Sequence, residues 1–204
     1  MQFATGSPRY AAVPTALAVP AAFVWFPLSA ACLLAAAGVL FFHRDPDRAT
    51  PPTGIVSPAD GHVTKIRKEA DGLRVAIYMR GRDVHINRAP MDGVVESVDH
   101  EPGSNKLAFR KESEHNERLR FTFEDYTAEM IAGAFCRRTY SYVEPGEYVE
   151  RGQRIGHISF SSRFDVVLPP EYDRTDLTVA EGNRVLAGET VIAEPRSAVR
   201  DDVA

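Results

Sequence analysis

The sequence predicts a mainly β fold, a sandwich or barrel, preceded by an N-terminal apolar helical hairpin. Three observations point there: a long uncharged run near the start, short alternating apolar runs after Gly54, and two similar glycine-punctuated segments near the end.

The uncharged run covers residues 11–42. As one helix it would reach about 48 Å, too long for a straight path through roughly 30 Å of bilayer hydrocarbon. Pro14, Pro20 and Pro27 interrupt it, and Pro27 divides it into two segments, 11–26 and 28–42, that can turn back on each other. Arg9 stands before the run and Arg44 and Arg48 follow it, so both ends are expected on the cytoplasmic side of a membrane, with the remainder of the chain. A signal peptide fits less well: the apolar part is too long, and no small-residue cleavage site precedes Phe41. The expected division is an anchoring hairpin and linker, 1–48, and a catalytic β domain, 49–204.

Strands are expected at 61–66, 73–79, 93–98, 119–123, 128–132, 139–143, 154–159, 165–168 and 190–193, where apolar and polar residues alternate between Gly, Pro, Asp and Asn. The segments 143–156 and 179–193 both read Gly, two residues, Val, two residues, Gly. That pattern resembles the halves of the biotinyl/lipoyl hybrid-motif barrel, in which glycines turn hairpin corners. A carrier of that type needs a modifiable lysine at a hairpin tip, and neither 146–152 nor 182–188 contains one.

Composition narrows the chemistry. With 204 residues, a net charge of −4 and no basic stripe, the chain offers no field for nucleic acid. Cys32 and Cys136 are expected as reduced structural thiols, and neither they nor His62, His85, His100, His115 and His157 show metal-ligand spacing. His115 and His157 read as surface or strand residues, Lys106 as a solvated charge and 196–204 as a polar tail.

Reactive groups gather in three segments: Ser57-Pro58-Ala59-Asp60-Gly61, Asp83-Val84-His85-Ile86-Asn87-Arg88-Ala89-Pro90, and Ser159-Phe160-Ser161-Ser162-Arg163. Singly, such residues serve turns and caps. In this order, after Phe41-Phe42-His43-Arg44-Asp45-Pro46-Asp47-Arg48 and with Asn116-Glu117-Arg118 between, they resemble the short form of the phosphatidylserine decarboxylase family, which acts on phosphatidylserine or archaetidylserine. His43 is an extra or substituted position in that pattern.

The resemblance implies autocatalytic serinolysis at Ser161-Ser162, giving a β chain, 1–161, and an α chain, 162–204, that stay associated, and the family analogy suggests a homodimer of the cleaved protomers. It implies that Ser162 becomes the covalent pyruvoyl group and Schiff-base position, with His85 as base and Asp60 as its orienter. A neutral imidazole held in one tautomer suits proton removal from serine near neutral pH. Arg163 and Arg88 are candidates for the lipid's anionic groups. The family has Gly before the processed serine where this chain has Ser161, which keeps Ser161 open as the nucleophile. Two other classes stay open at this level: a membrane-tethered binding module without catalysis, and a membrane serine hydrolase using an intact Ser162.

Overall fold

A computed structural model of the chain describes residues 2–103, 116–133, 139–158 and 162–195. Lys106, His115, Cys136, Ser159, Phe160, Ser161 and the tail 196–204 lie outside them, so the expectations placed there have no structural counterpart.

The apolar run forms two helices, α1 (Ser7–Val24) and α2 (Phe26–Phe42), separated only by Trp25 in an extended conformation. Pro27 falls in the first turn of α2, where a missing N–H leaves nothing unpaired, so the break precedes it. Pro14 and Pro20, expected to interrupt, lie inside α1. Small buried residues, Ala18 and Ala21 on α1 and Ser29 and Ala36 on α2, let the helices close on each other. The Ser29 hydroxyl donates to the Ala18 carbonyl at 2.9 Å, fixing the pair. Among the described residues no helix is long and apolar enough to cross a membrane. The turn end is nonetheless strongly apolar and exposed, with Phe23 at 90%, Phe26 at 76% and Trp25 at 63%. At the other end β1 (Gln2–Phe3) pairs with β2 (Arg44–Asp45) and ties the start of the chain to the hairpin's exit.

The remainder is antiparallel β structure. In chain order the strands are β3 (Ile55–Val56), β4 (Gly61–Glu69), β5 (Gly72–Met79), β6 (Ile86–Arg88), β7 (Gly93–Glu101), β8 (Arg118–Phe123), β9 (Thr127–Ala132), β10 (Thr139–Ser141), β11 (Tyr148–Val149), β12 (Arg154–Ile158), β13 (Ser162–Leu168), β14 (Arg184–Val185) and β15 (Val191–Ala193). Eight form one curled sheet in the order β11-β7-β8-β9-β13-β5-β4-β14, with β10-β12-β6 and β15-β3 as smaller sheets beside it. Leu73, Ile77, Phe121, Met130, Phe164 and Leu168 fill its inner face and are fully buried. The short strands β3, β6, β11 and β14 escaped the sequence pattern because two or three residues are too few to show alternation.

The sheet carries an internal two-fold likeness that the glycine segments only half disclosed. Ser57-Pro58-Ala59-Asp60-Gly61 and Ala89-Pro90-Met91-Asp92-Gly93 are equivalent corners, each leading into a long strand. The Val56 N–H donates to the Pro90 carbonyl at 3.0 Å, and the Arg88 N–H donates to the Pro58 carbonyl at 2.9 Å, a reciprocal clasp. The hairpin 182–188 seats on the first corner and 146–152 on the second, with Gly182 and Gly146 N–H groups donating to Val63 and Val95 carbonyls at 2.7 Å in both cases. Val185 and Val149 fill the two hairpins, both buried, and the four bounding glycines all have positive φ.

Candidate active site

Ser162 opens β13, between Met79 of β5 and Ala132 of β9. Its side chain is wholly buried, and its Oγ meets the Met79 sulfur at 3.9 Å, a weak acceptor. The Asn87 amide reaches the same sulfur at 3.6 Å and the Pro58 carbonyl at 3.5 Å, so the first clasp corner, β6 and Ser162 converge on Met79. From the Asn116-Glu117-Arg118 segment, buried Asn116 donates to the Ala132 carbonyl at 2.7 Å, securing the strand beside Ser162.

His85 precedes β6. Its Nδ1 lies 2.9 Å from the Asp83 backbone carbonyl, which can only accept; Nδ1 therefore carries the proton and Nε2 the lone pair. Nε2 is buried and has no partner among the described residues. Burial pushes this imidazole down to about 4, partly offset by the Asp83 carbonyl, so it is neutral at pH 7. The Phe42 ring packs on it at 4.4 Å, and the His85 carbonyl accepts from Ile158 N–H at 3.2 Å, at the end of β12. Ile158 is four positions before Ser162, so the backbone of His85 holds the strand that leads to the serine.

Asp60 and His85 share no hydrogen bond among the described residues. Both Asp60 oxygens accept from Arg48 Nη2 at 2.9 Å, and Oδ1 also accepts from the Ala187 N–H at 2.8 Å. The orienting contact expected of Asp60 is made by the Asp83 carbonyl, two residues before the histidine, and a backbone acceptor leaves no mark in residue identity. Arg48 entered the sequence argument as a topology signal and as the last residue of the Phe41–Arg48 motif, with no role in the site, yet it is a buried partner of Asp60 and Glu189.

The two candidate arginines are engaged with protein oxygens. Arg88 donates to the Gly152 carbonyl and to Asp45, both below 3 Å, and is buried. Arg163 grips Asp165 through two contacts at 2.8 and 3.1 Å. His157, a strand residue as expected, is buried rather than at the surface: it stacks on Tyr140 at 4.4 Å and lies 6.1 Å from His43. The Tyr142 hydroxyl accepts from the Thr5 N–H at 3.1 Å, which leaves its proton for His157 Nδ1 at 2.8 Å. The root of the hairpin thus packs directly against the His85 neighbourhood. No grouping of metal-ligating side chains occurs among the described residues.

The family model for phosphatidylserine decarboxylase matches residues 36–193, which include every residue just placed around Met79 and His85. The chain belongs to the phosphatidylserine decarboxylase family. It is 52% identical over 91% of its length, and 95% of the relative's, to a protein named putative archaetidylserine decarboxylase proenzyme from Halobacterium salinarum. It is 47% identical to a phosphatidylserine decarboxylase proenzyme of Streptomyces avermitilis over 77% of this chain and 74% of that one. A putative archaetidylserine decarboxylase proenzyme of Methanococcoides burtonii is 39% identical over 78% of the chain and 76% of the relative. No solved structure matches the chain. As a phosphatidylserine decarboxylase it is a carboxy-lyase. The family match begins inside α2, so α1 lies outside the shared core.

Proposed function

We propose that this decarboxylase matures by cutting itself between Ser161 and Ser162, converts Ser162 into a pyruvoyl group, and removes CO2 from the serine headgroup of a phospholipid, phosphatidylserine or archaetidylserine. The observation that carries the reading is the presence of two buried groups without strong partners among the described residues: a serine whose Oγ reaches the Met79 sulfur, and a neutral imidazole whose tautomer leaves Nε2 as base. A serine already satisfied by a carbonyl, or a charged imidazole, would suit neither step.

In maturation His85 takes the Oγ proton as Ser162 attacks the Ser161 carbonyl. The peptide C–N bond breaks and an ester forms. Loss of the Ser162 α-proton then expels the new carboxylate end of the β chain, and hydrolysis of the residue left behind releases ammonia. Antiparallel pairing on both sides of β13 holds the α chain in the sheet after the cut. Ser162 is the residue that would carry the pyruvoyl group, and the fit is good: it heads a strand, is buried, and has no strong hydrogen bond that its conversion would break. Such a group supplies an electron sink for the pair left by CO2. Around it, Met79, Asn87 and Ala132 are buried, and His85 Nε2, a free base, would carry a proton to or from the reacting carbon.

The hairpin is read as a device that dips into one leaflet on the cytoplasmic side. Helices of 18 and 17 residues reach about 26 Å, short of the ~30 Å hydrocarbon core, while the exposed aromatic turn favours burial in lipid. The reciprocal corners favour reading the β domain as a biotinyl/lipoyl-type hybrid barrel put to catalytic use.

Intact mass of the purified protein tests the proposal. A fragment of residues 162–204 with a carbonyl-reactive, blocked N-terminus is expected. A fragment one residue longer moves the processed position to Ser161. A chain that stays whole while consuming a serine-directed phosphonate overturns the proposal in favour of a hydrolase.

A further inference from the structure

We propose that the turn between Met79 and His85 binds the phosphodiester of the lipid substrate, with Arg80 and Arg82 as its ligands; this rests on the function proposed above. The turn is closed internally. The Arg80 N–H donates to the Asp83 carboxylate at 2.8 Å, and the Asp83 N–H returns to the Arg80 carbonyl at 2.9 Å. Asp83 is thereby buried and spent on backbone, and the two arginines are left exposed.

Neither guanidinium has an ion-pair or hydrogen-bond partner among the described residues. Every other arginine around the site does: Arg44, Arg48, Arg88, Arg154 and Arg163 all donate to protein oxygens. Two unpaired cations side by side on a chain of net charge −4 are an anion site in waiting.

Position identifies the anion. Upstream, Met79 pairs with Ser162; downstream, the turn ends at His85. On its outer side Arg44 donates to the Arg82 carbonyl at 2.6 Å while lying 4.0 Å over the ring of Phe41. Phe41 is half exposed and continues the apolar surface of α2 through Leu34 and Leu33. In order of contact, from Phe41 through Arg44 to the turn and on to Met79 and His85, the protein presents hydrocarbon-compatible surface, then free guanidinium groups, then the buried serine and imidazole. A phospholipid presents the same order: acyl or isoprenoid chains, phosphate, amino-acid headgroup. With its chains along α2 and its amino group at Ser162, its phosphate falls at Arg80 and Arg82. Tail chemistry does not enter, so ester and ether lipids are served alike.

The test uses the full-length enzyme in detergent micelles, as wild type, Arg80→Gln/Arg82→Gln and Arg80→Lys/Arg82→Lys. The expected result is complete maturation of the Gln pair by intact mass and a KM for the serine lipid raised at least about tenfold, the loss of one or more charge-assisted hydrogen bonds. Its kcat stays near wild type, because binding common to ground and transition states is removed. The salt dependence of KM flattens, and the Lys pair recovers part of the affinity. Sedimentation with phosphatidylcholine vesicles, with and without phosphatidylglycerol, gives a second readout: the Gln pair should lose the preference for the anionic vesicles. A matured Gln pair with wild-type KM and salt dependence overturns the proposal, even if vesicle binding falls, since that would be surface attraction alone. A loss confined to kcat overturns it too. If wild type never matures, the proposed function fails, and the phosphodiester site that rests on it falls with it.

Discussion

The two corners of the β domain are built alike and used differently. In both, a Pro-x-Asp-Gly turn leads into a strand, and the aspartate Oδ1 accepts a backbone N–H from the opposing hairpin at 2.8 Å: Asp60 from Ala187, Asp92 from Arg151. The hairpin contact is therefore a property of the repeat, and chemistry has to be sought in what the corners do not share. Asp60 is buried and also holds buried Arg48, whereas Asp92 is exposed. Gly61 has φ +153° with the Tyr78 carbonyl where a Cβ would sit, whereas Gly93 has ordinary room. Conversely, the two histidines that burial holds neutral belong to the second clasp, His85 beside β6 and His157 in β12, each with a buried Nε2 that no hydrogen bond satisfies among the described residues, whereas His62, just past the first corner, leaves its Nδ1 unsatisfied but is half-buried. One corner is a rigid charged anchor, and the other carries these two buried imidazoles.

The largest break in that comparison is expected from Asp60→Ala. It leaves the buried Arg48 guanidinium with Glu189, at 3.3 Å, as its remaining ion-pair partner among the described residues, at about 3 kcal/mol by urea denaturation. Restoring stability by adding Arg48→Met separates the anchor from any part in maturation: a double variant that folds and still cuts itself assigns Asp60 to the anchor alone.

Acid is next. Unfolded histidine binds a proton near pH 6.5, but burial keeps His85 and His157 neutral in the folded chain down to about 4. The unfolded state binds more protons throughout that window, so stability is full above pH ~6.5 and falls toward pH 4, on the order of 3 kcal/mol for each histidine. Hydrogen exchange at pH 5 should show β6 and β12 opening before β3 and β15, and equal opening would erase the contrast. The rate of self-cutting should be flat from pH 8 to about 6, because His85 is already the free base.

Gly61→Ala should cost roughly 1–3 kcal/mol through the clash with the Tyr78 carbonyl. Gly93→Ala should change the melting temperature little. Asp92→Ala, at the small end, should cost about 1 kcal/mol, the worth of one exposed hydrogen bond. A loss from Asp92→Ala as large as that from Asp60→Ala would mean the corners are energetically equivalent after all.

Much of this was legible before any coordinates. The uncharged run, too long for one straight span and divided at Pro27, read as two helices, and the spaced glycines marked corners that turn with positive φ. Motif order singled out Ser162 and His85 as candidates, since reactive residue types are visible as letters. What the letters could not give was partnership. That Asp60 faces Arg48, that a backbone carbonyl sets the His85 tautomer, that Pro14 and Pro20 sit within a continuous helix, and that the Arg80 and Arg82 guanidinium groups have no partner among the described residues were all decided by the tertiary fold. Local pattern reports the chemistry a residue brings, because that is carried in its own side chain. Only tertiary structure reports whether that chemistry is spent, because a hydrogen bond belongs to two residues that the chain places far apart in sequence.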